Sequence, residues 1–119
     1  MAKKIRWHKV YDFSRHGIKP QEALSVRTID IDGRRYALAY NGTEWHAFDD
    51  RCPHAHGRFG AGGWCDEFVM VCPVHRHHFN LENGRGHMGD YVEKHHAEQR
   101  EDGVYIGIEV SSHWWWPFG

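Results

Sequence analysis

The strongest constraint on this chain is a pair of short segments, Cys52-Pro53-His54 and Cys72-Pro73-Val74-His75, with seventeen residues between His54 and Cys72. Each puts one thiol and one imidazole on a tight loop, and the long spacer lets the two loops face each other around a metal centre. Soft thiolates beside borderline imidazoles suit iron-sulfur, zinc or copper and disfavour magnesium and calcium. Proline follows each cysteine, fixing φ and reducing the entropy lost when the ligands are ordered. Three cysteines are too few for a disulfide framework, and close to histidines they read as metal ligands. The odd one, Cys65, reads as a free thiol at a loop end.

The flanking sequence is that of short strands. Leu24 to Ile31 alternates apolar and polar residues, Asp32-Gly33 supplies the positive backbone angles of a tight hairpin, and Arg35 to Tyr40 continues as its second strand. Asn41-Gly42 then turns the chain into Glu44 to Phe48. Further strands are expected at Arg6 to Tyr11, Phe68 to Val71, His77 to Leu81, Tyr91 to Lys94 and Val104 to Val110, with one helical turn at Pro20 to Leu24. The fold class is therefore mainly β. From Asp49 to Gly86 glycine, histidine, cysteine and proline dominate, and a loop-rich insert on a β scaffold is where a site is expected. The length of 119 residues suits one domain, read as 1–112 with the insert at about 49–86, followed by an aromatic tail, 113–119.

Charge and composition exclude several functions. A formal charge of -1 gives no positive field to gather phosphates, so no nucleic-acid partner is expected. The balance is uneven, +5 over residues 1–40 and -6 over 41–119, which could steer a charged protein partner. Met1-Ala-Lys-Lys-Ile5 does not read as a secretory signal, so none is expected. No apolar run approaches the roughly 18 residues that cross a bilayer, so no membrane partner and a cytoplasmic location are expected. Glycine-rich dinucleotide fingerprints and flavin motifs are absent from the sequence.

At the spacing C-x-H-x17-C-x2-H the chain resembles the Rieske family, in which two such loops share one 2Fe-2S cluster, cysteines on one iron and histidines on the other. Cys72-Pro-Val-His-Arg-His-His-Phe-Asn-Leu-Glu-Asn-Gly84 is similar to the family's second loop and closing turn. Tyr91-Val92 and Glu101 to Ile108 are similar to the strands that return the chain to its base, so the resemblance covers roughly residues 5 to 110. It implies a Rieske-like fold of antiparallel β-sheets, a basal sandwich or barrel with an inserted cluster-binding subdomain. It implies one [2Fe-2S] cluster per chain, with Cys52 and Cys72 on a buried iron and His54 and His75 on a solvent-facing one. The implied function is one-electron transfer by a ferredoxin between a separate reductase and an oxygenase or other acceptor, not catalysis by the chain itself. Two other readings stay open. One is an electron-transfer or structural small subunit of a larger redox enzyme of the nitrite-reductase type. The other is a zinc-held interaction module, against which the mixed Cys-His halves and the β context speak.

High-potential members of the family carry an extra disulfide across the loops and hydroxyl donors to the sulfurs. Here Val74 stands between Pro73 and His75, no cysteine lies between His54 and Trp64, and Phe79 stands where a hydroxyl is found. The resemblance thus implies a low-potential centre, at about -150 mV, with a midpoint that falls at alkaline pH. Arg76 departs from the glycine that commonly follows the second histidine, and His54-Ala-His-Gly-Arg-Phe-Gly60 departs from the family's first loop. His56, His77, His78, His87, His95 and His96 read as surface or hydrogen-bonded residues, His95 and His96 on opposite faces of a strand. The tail His113-Trp-Trp-Trp-Pro-Phe-Gly119 reads as an arm over its own barrel or as an aromatic docking patch.

Overall fold

Asp32 at φ 52° and Gly33 at φ 82° form the two-residue turn expected from the sequence, a geometry whose twist matches the strands it joins. The structure, a computed structural model, describes residues 3–53 and 57–111. The turn joins β2 (Ser25–Ile31) to β3 (Arg34–Tyr40). Around this hairpin lie β1 (Lys3–Asp12), α1 (Phe13–His16), β4 (Trp45–Asp49), β5 (Trp64–Cys65), β6 (Val69–Val71), β7 (His78–Asn80), β8 (Lys94–Arg100) and β9 (Gly103–Ser111). The strands form one antiparallel ladder in the order β1-β9-β8-β4-β3-β2-β5-β6-β7. The Asn41 side chain closes the β3–β4 connection, accepting the N–H groups of Thr43 and Glu44 at 3.0 and 2.7 Å.

The apolar run Tyr36-Ala-Leu-Ala39 shows no polar alternation because β3 is buried on both faces. Tyr36 and Leu38 join one core with Tyr11, Ile31, Trp45, Ala47, Val104 and Ile106. Ala37 and Ala39 face a second core of Val26, Phe48, Phe59, Met70, Phe79 and the three cysteines, among others. Phe48, Phe59 and Phe79 are fully buried, each worth about 1.5–3 kcal/mol of transfer free energy. The second core underlies the loops that carry the cysteines.

Two expected elements differ. The helical turn falls at Phe13–His16 and not at Pro20 to Leu24. Asp12 starts it by accepting the Ser14 N–H at 3.0 Å and its hydroxyl at 2.7 Å, Gly17 at φ 87° stops it, and Leu24 at φ 68° is incompatible with helix. The strand expected at Tyr91 to Lys94 does not form over Tyr91 to Glu93. Tyr91 makes only an isolated bridge to Arg85, and pairing begins at Lys94 opposite Phe48 and runs on to Arg100 opposite Gly103. The segment Lys-His-His-Ala-Glu-Gln-Arg has almost no apolar alternation; it is a strand because β4 and β9 supply partners on both sides. No helix among the described residues is long and apolar enough to cross a membrane.

Candidate metal centre

Cys52 and Cys72 leave β4 and β6 and arrive in the second core, each with no exposed surface. Their loops close in the same way: the Cys52 N–H donates to Gly57 O at 2.7 Å and the Cys72 N–H to His77 O at 2.9 Å. Each cysteine therefore opens a turn whose last carbonyl lies five residues on. The two thiols are hydrogen-bonded to each other, and burial, with that contact, pushes the Cys72 thiol up to about 11 against the pull of the Val74 N–H. A metal removes that proton, because a coordinating thiol is held as thiolate. Gly57 is where the loops touch. A Cβ there would fall 2.6 Å from Val74 Cγ2 and 3.2 Å from Cys72 Sγ, so only glycine lets the two loops close.

The second turn presents His75 at the surface. His75 and Arg76 take φ of 60° and 54°, a left-handed pair without glycine that reverses the chain tightly enough to put the imidazole outside and the thiol inside. The His77 ring stands edge-on to His75 with centroids 6.3 Å apart and stacks on His87 at 5.5 Å. The His87 Nδ1 accepts the His78 N–H at 3.1 Å. These imidazoles pack as a rim beside His75. His54, with Ala55 and His56, lies outside the described residues, as does the tail 113–119.

Two anchors that sequence reasoning missed hold the loops to the ladder. Before Cys52, the Asp50 carboxylate is buried and accepts the Gly60 N–H at 3.0 Å and the Thr28 hydroxyl at 2.5 Å. Beyond His75, the closing turn is clamped by Lys94 of β8, whose Nζ donates to Leu81 O at 2.7 Å and Glu82 O at 2.9 Å. The same ammonium is 3.1 Å from His46 Nδ1. Burial first, then the Lys94 charge, lowers His46 below its ordinary value, and burial lowers Lys94. An acid two residues before the first cysteine was the one local signal that could have pointed to Asp50.

Cys65 is not at a loop end; it lies in β5, buried, with Sγ 3.4 Å from Tyr40 O and 3.7 Å from Ser25 O. Burial raises its thiol to about 11, and its carbonyl partners on β2 and β3 hold it as a structural thiol. His95 and His96 do take opposite faces: His95 Nε2 meets Asp49 Oδ1 at 2.8 Å, and His96 Nε2 meets Glu109 Oε2 at 3.0 Å. Asp49, Glu93 and His95 bring ligand atoms within 4.8 Å of one another, but Arg34 lies 3.6 Å from Asp49 and makes this an ion-pair network.

Two buried thiols on matched turns, an exposed imidazole at the tip and a glycine at the loop contact fit an iron-sulfur centre in donor chemistry and in access. A family model described as the Rieske [2Fe-2S] domain matches residues 8–99. The chain belongs to this family. Its cofactor is accordingly a [2Fe-2S] cluster. The ferredoxin subunit of the Escherichia coli 3-phenylpropionate/cinnamic acid dioxygenase is 33% identical over 64 residues, 54% of this chain and 57% of that protein. The chain thus spans little more than half the length of the curated relative it matches. Among solved Rieske-like structures, the ferredoxin of carbazole 1,9a-dioxygenase from Nocardioides aromaticivorans superimposes with a TM-score of 0.70 at 16% identity, covering 84% of this chain and 95% of that one. A Mycobacterium tuberculosis chain, a candidate small subunit of an NADH-dependent nitrite reductase, gives 0.69 at 14% identity, covering 88% and 96%. At such identities both likenesses show the antiparallel β fold and nothing finer.

Proposed function

We propose that this Rieske chain is a cytoplasmic one-electron carrier, a ferredoxin that takes electrons from a reductase and delivers them to an oxygenase or a similar acceptor. Residues 49–86 serve as its cluster-binding subdomain. Cys52 and Cys72 hold one iron, His54 and His75 the other. The observation that carries the reading is the pair of matched turns, with both thiols buried and His75 exposed. The name of the Escherichia coli relative supports a dioxygenase system.

The bound cluster supplies a reversible change of one electron. The chain's own residues do the rest. Burial of Cys52 and Cys72 in the second core keeps water from the sulfurs, which holds the cluster and lowers the reorganisation of its surroundings. The amide bonds from Cys52 to Gly57 and from Cys72 to His77 fix the two turns whichever charge the centre carries. The exposed His75 gives a short path from the protein edge to a partner, so no substrate pocket is needed. Val74 in the second turn leaves no disulfide to make there, and none of the three cysteines is in a disulfide. With no hydroxyl at Phe79, this sets the midpoint at the low end of the family's range, about -150 mV.

The test is the visible and EPR spectrum of the anaerobically purified, dithionite-reduced chain. A rhombic 2Fe-2S signal with one cluster per chain is the expected result. A colourless, EPR-silent protein with stoichiometric zinc overturns the reading in favour of an interaction module.

A further inference from the structure

The first ligand loop begins and ends on one buried side chain. Asp50 lies between β4 and Cys52, and its side chain has no exposed surface. Its Oδ1 accepts the Gly60 N–H at 3.0 Å and its Oδ2 the Thr28 hydroxyl at 2.5 Å. Arg58 brings Nε to 3.6 Å from the same Oδ2 and donates from Nη2 to Thr28 Oγ1 at 3.1 Å. Gly60 must be glycine for this approach, since a Cβ there would overlap the hydroxyl and backbone of Thr28. Thr28 itself is fixed in β2, paired with Ala37 of β3. The root of the loop, its exit and the central ladder thus meet at one carboxylate.

We propose that Asp50 is the positioning residue of the cysteine centre: by tying both ends of the first ligand loop to Thr28, it sets where Cys52 Sγ stands opposite Cys72. The inference rests on the function proposed above. A side chain kept for bulk stability alone has no need of charge here, because a buried acid is commonly matched or bettered by an apolar residue of its size. What this location demands is an acceptor on both sides. The Gly60 N–H and the Thr28 hydroxyl both point donors inward, and Thr28 Oγ1 already receives the Arg58 proton. A carboxylate accepts from both; an amide turns a donor against one of them.

Asp50→Asn and Thr28→Val test this in the full-length holoprotein. Three readouts are compared with the parent: the EPR spectrum of the reduced cluster, the rate of cluster loss to a chelator, and amide hydrogen exchange. In Asp50→Asn the g-values shift or broaden and the cluster is lost about tenfold faster, equivalent to about 1.4 kcal/mol. The Cys52 and Gly60 amides lose protection while those of β3 and β4 keep theirs. Thr28→Val, which keeps the acid, moves every readout the same way by less. An unchanged spectrum and retention rate in both variants overturns the proposal, and so does an equal loss of protection across β3 and β4, which marks a purely structural role. Should Asp50→Asn fail to accumulate, Thr28→Val decides between the same outcomes. A parent chain with no Rieske signal refutes the function reading alone; exchange at Cys52 and Gly60 in the metal-free chains still judges Asp50.

Discussion

Arg76 occupies left-handed backbone at φ 54° with a side chain that is exposed, so its conformational cost can be measured without disturbing the core. A left-handed residue carrying a Cβ costs roughly 1–2 kcal/mol. Glycine removes that cost but gives back about 0.5–1 kcal/mol through the greater freedom of the unfolded chain. Arg76→Gly is therefore expected to stabilise the protein by about 0.5–1 kcal/mol, a rise in Tm of about 2–5 °C for a chain of this size. Arg76→Ala is the control, since it removes the same charge and the same long side chain but keeps the Cβ. Urea unfolding of the anaerobic holoprotein, followed by far-UV circular dichroism, reads the difference between the two variants. Equal stabilities, or a less stable glycine variant, would refute the strain argument. Voltammetry on the same samples separates charge from backbone. Loss of a cation beside His75 disfavours the more negative reduced centre, so both midpoints should move negative together. A midpoint shift in only one variant means that the turn has moved.

Gly57→Ala drives a Cβ to within 2.6 Å of Val74 Cγ2 at the loop contact, and is expected to lower the EPR-active cluster per chain; full occupancy would show that the loops need not close there. Cys65→Ala removes a thiol bonded to strand carbonyls, and should leave cluster content and g-values at parental levels, whereas Cys72→Ser should abolish the signal. His46 is lowered from 6.5 by burial and by Lys94. The unfolded chain therefore binds a proton that the folded chain refuses, and the stability from neutral His46, complete above 6.5, is lost as pH falls toward the folded value. The drop in unfolding free energy from about pH 7.5 to about pH 5 should be smaller in His46→Gln; an identical drop would remove His46 from the account.

The parts of the fold legible in the sequence are those whose signal is local. Asp32-Gly33 announces its turn because few residue pairs accept two positive φ angles, and the register of β2 against β3 follows from it. The helical turn was misplaced for an equally local reason. Pro20 suggests a helix start, yet the working cap is Asp12, which serves Ser14 two residues on, and Leu24 leaves helical space. The strand β8 gave no signal because its polar sequence is extended only by neighbours brought from β4 and β9. Long-range pairing of this kind has no signature in the segment itself.

The candidate centre divides along the same line. Its two thiols were legible as candidate ligands because ligand chemistry demands particular side chains at a fixed spacing. What holds them in place was not. Asp50 reaches Thr28 across 22 residues and Lys94 reaches Leu81 across 13, and each partner is common enough at a surface to carry no meaning alone. The matched closures at Gly57 and His77 are harder still to read, because a backbone carbonyl accepts a hydrogen bond whatever its side chain. Only the prolines after Cys52 and Cys72 hinted that the two turns share a geometry. It follows that exchanging the side chains at Arg58 or Val74 should leave both cysteine amides protected, whereas proline at either cysteine position would remove the donor on which its turn closes. Amide exchange at Cys52 and Cys72 in the Arg58 and Val74 variants measures this directly. Loss of protection at Cys72 on changing Val74 to alanine would show that side-chain packing, and not the backbone bond, holds the second turn.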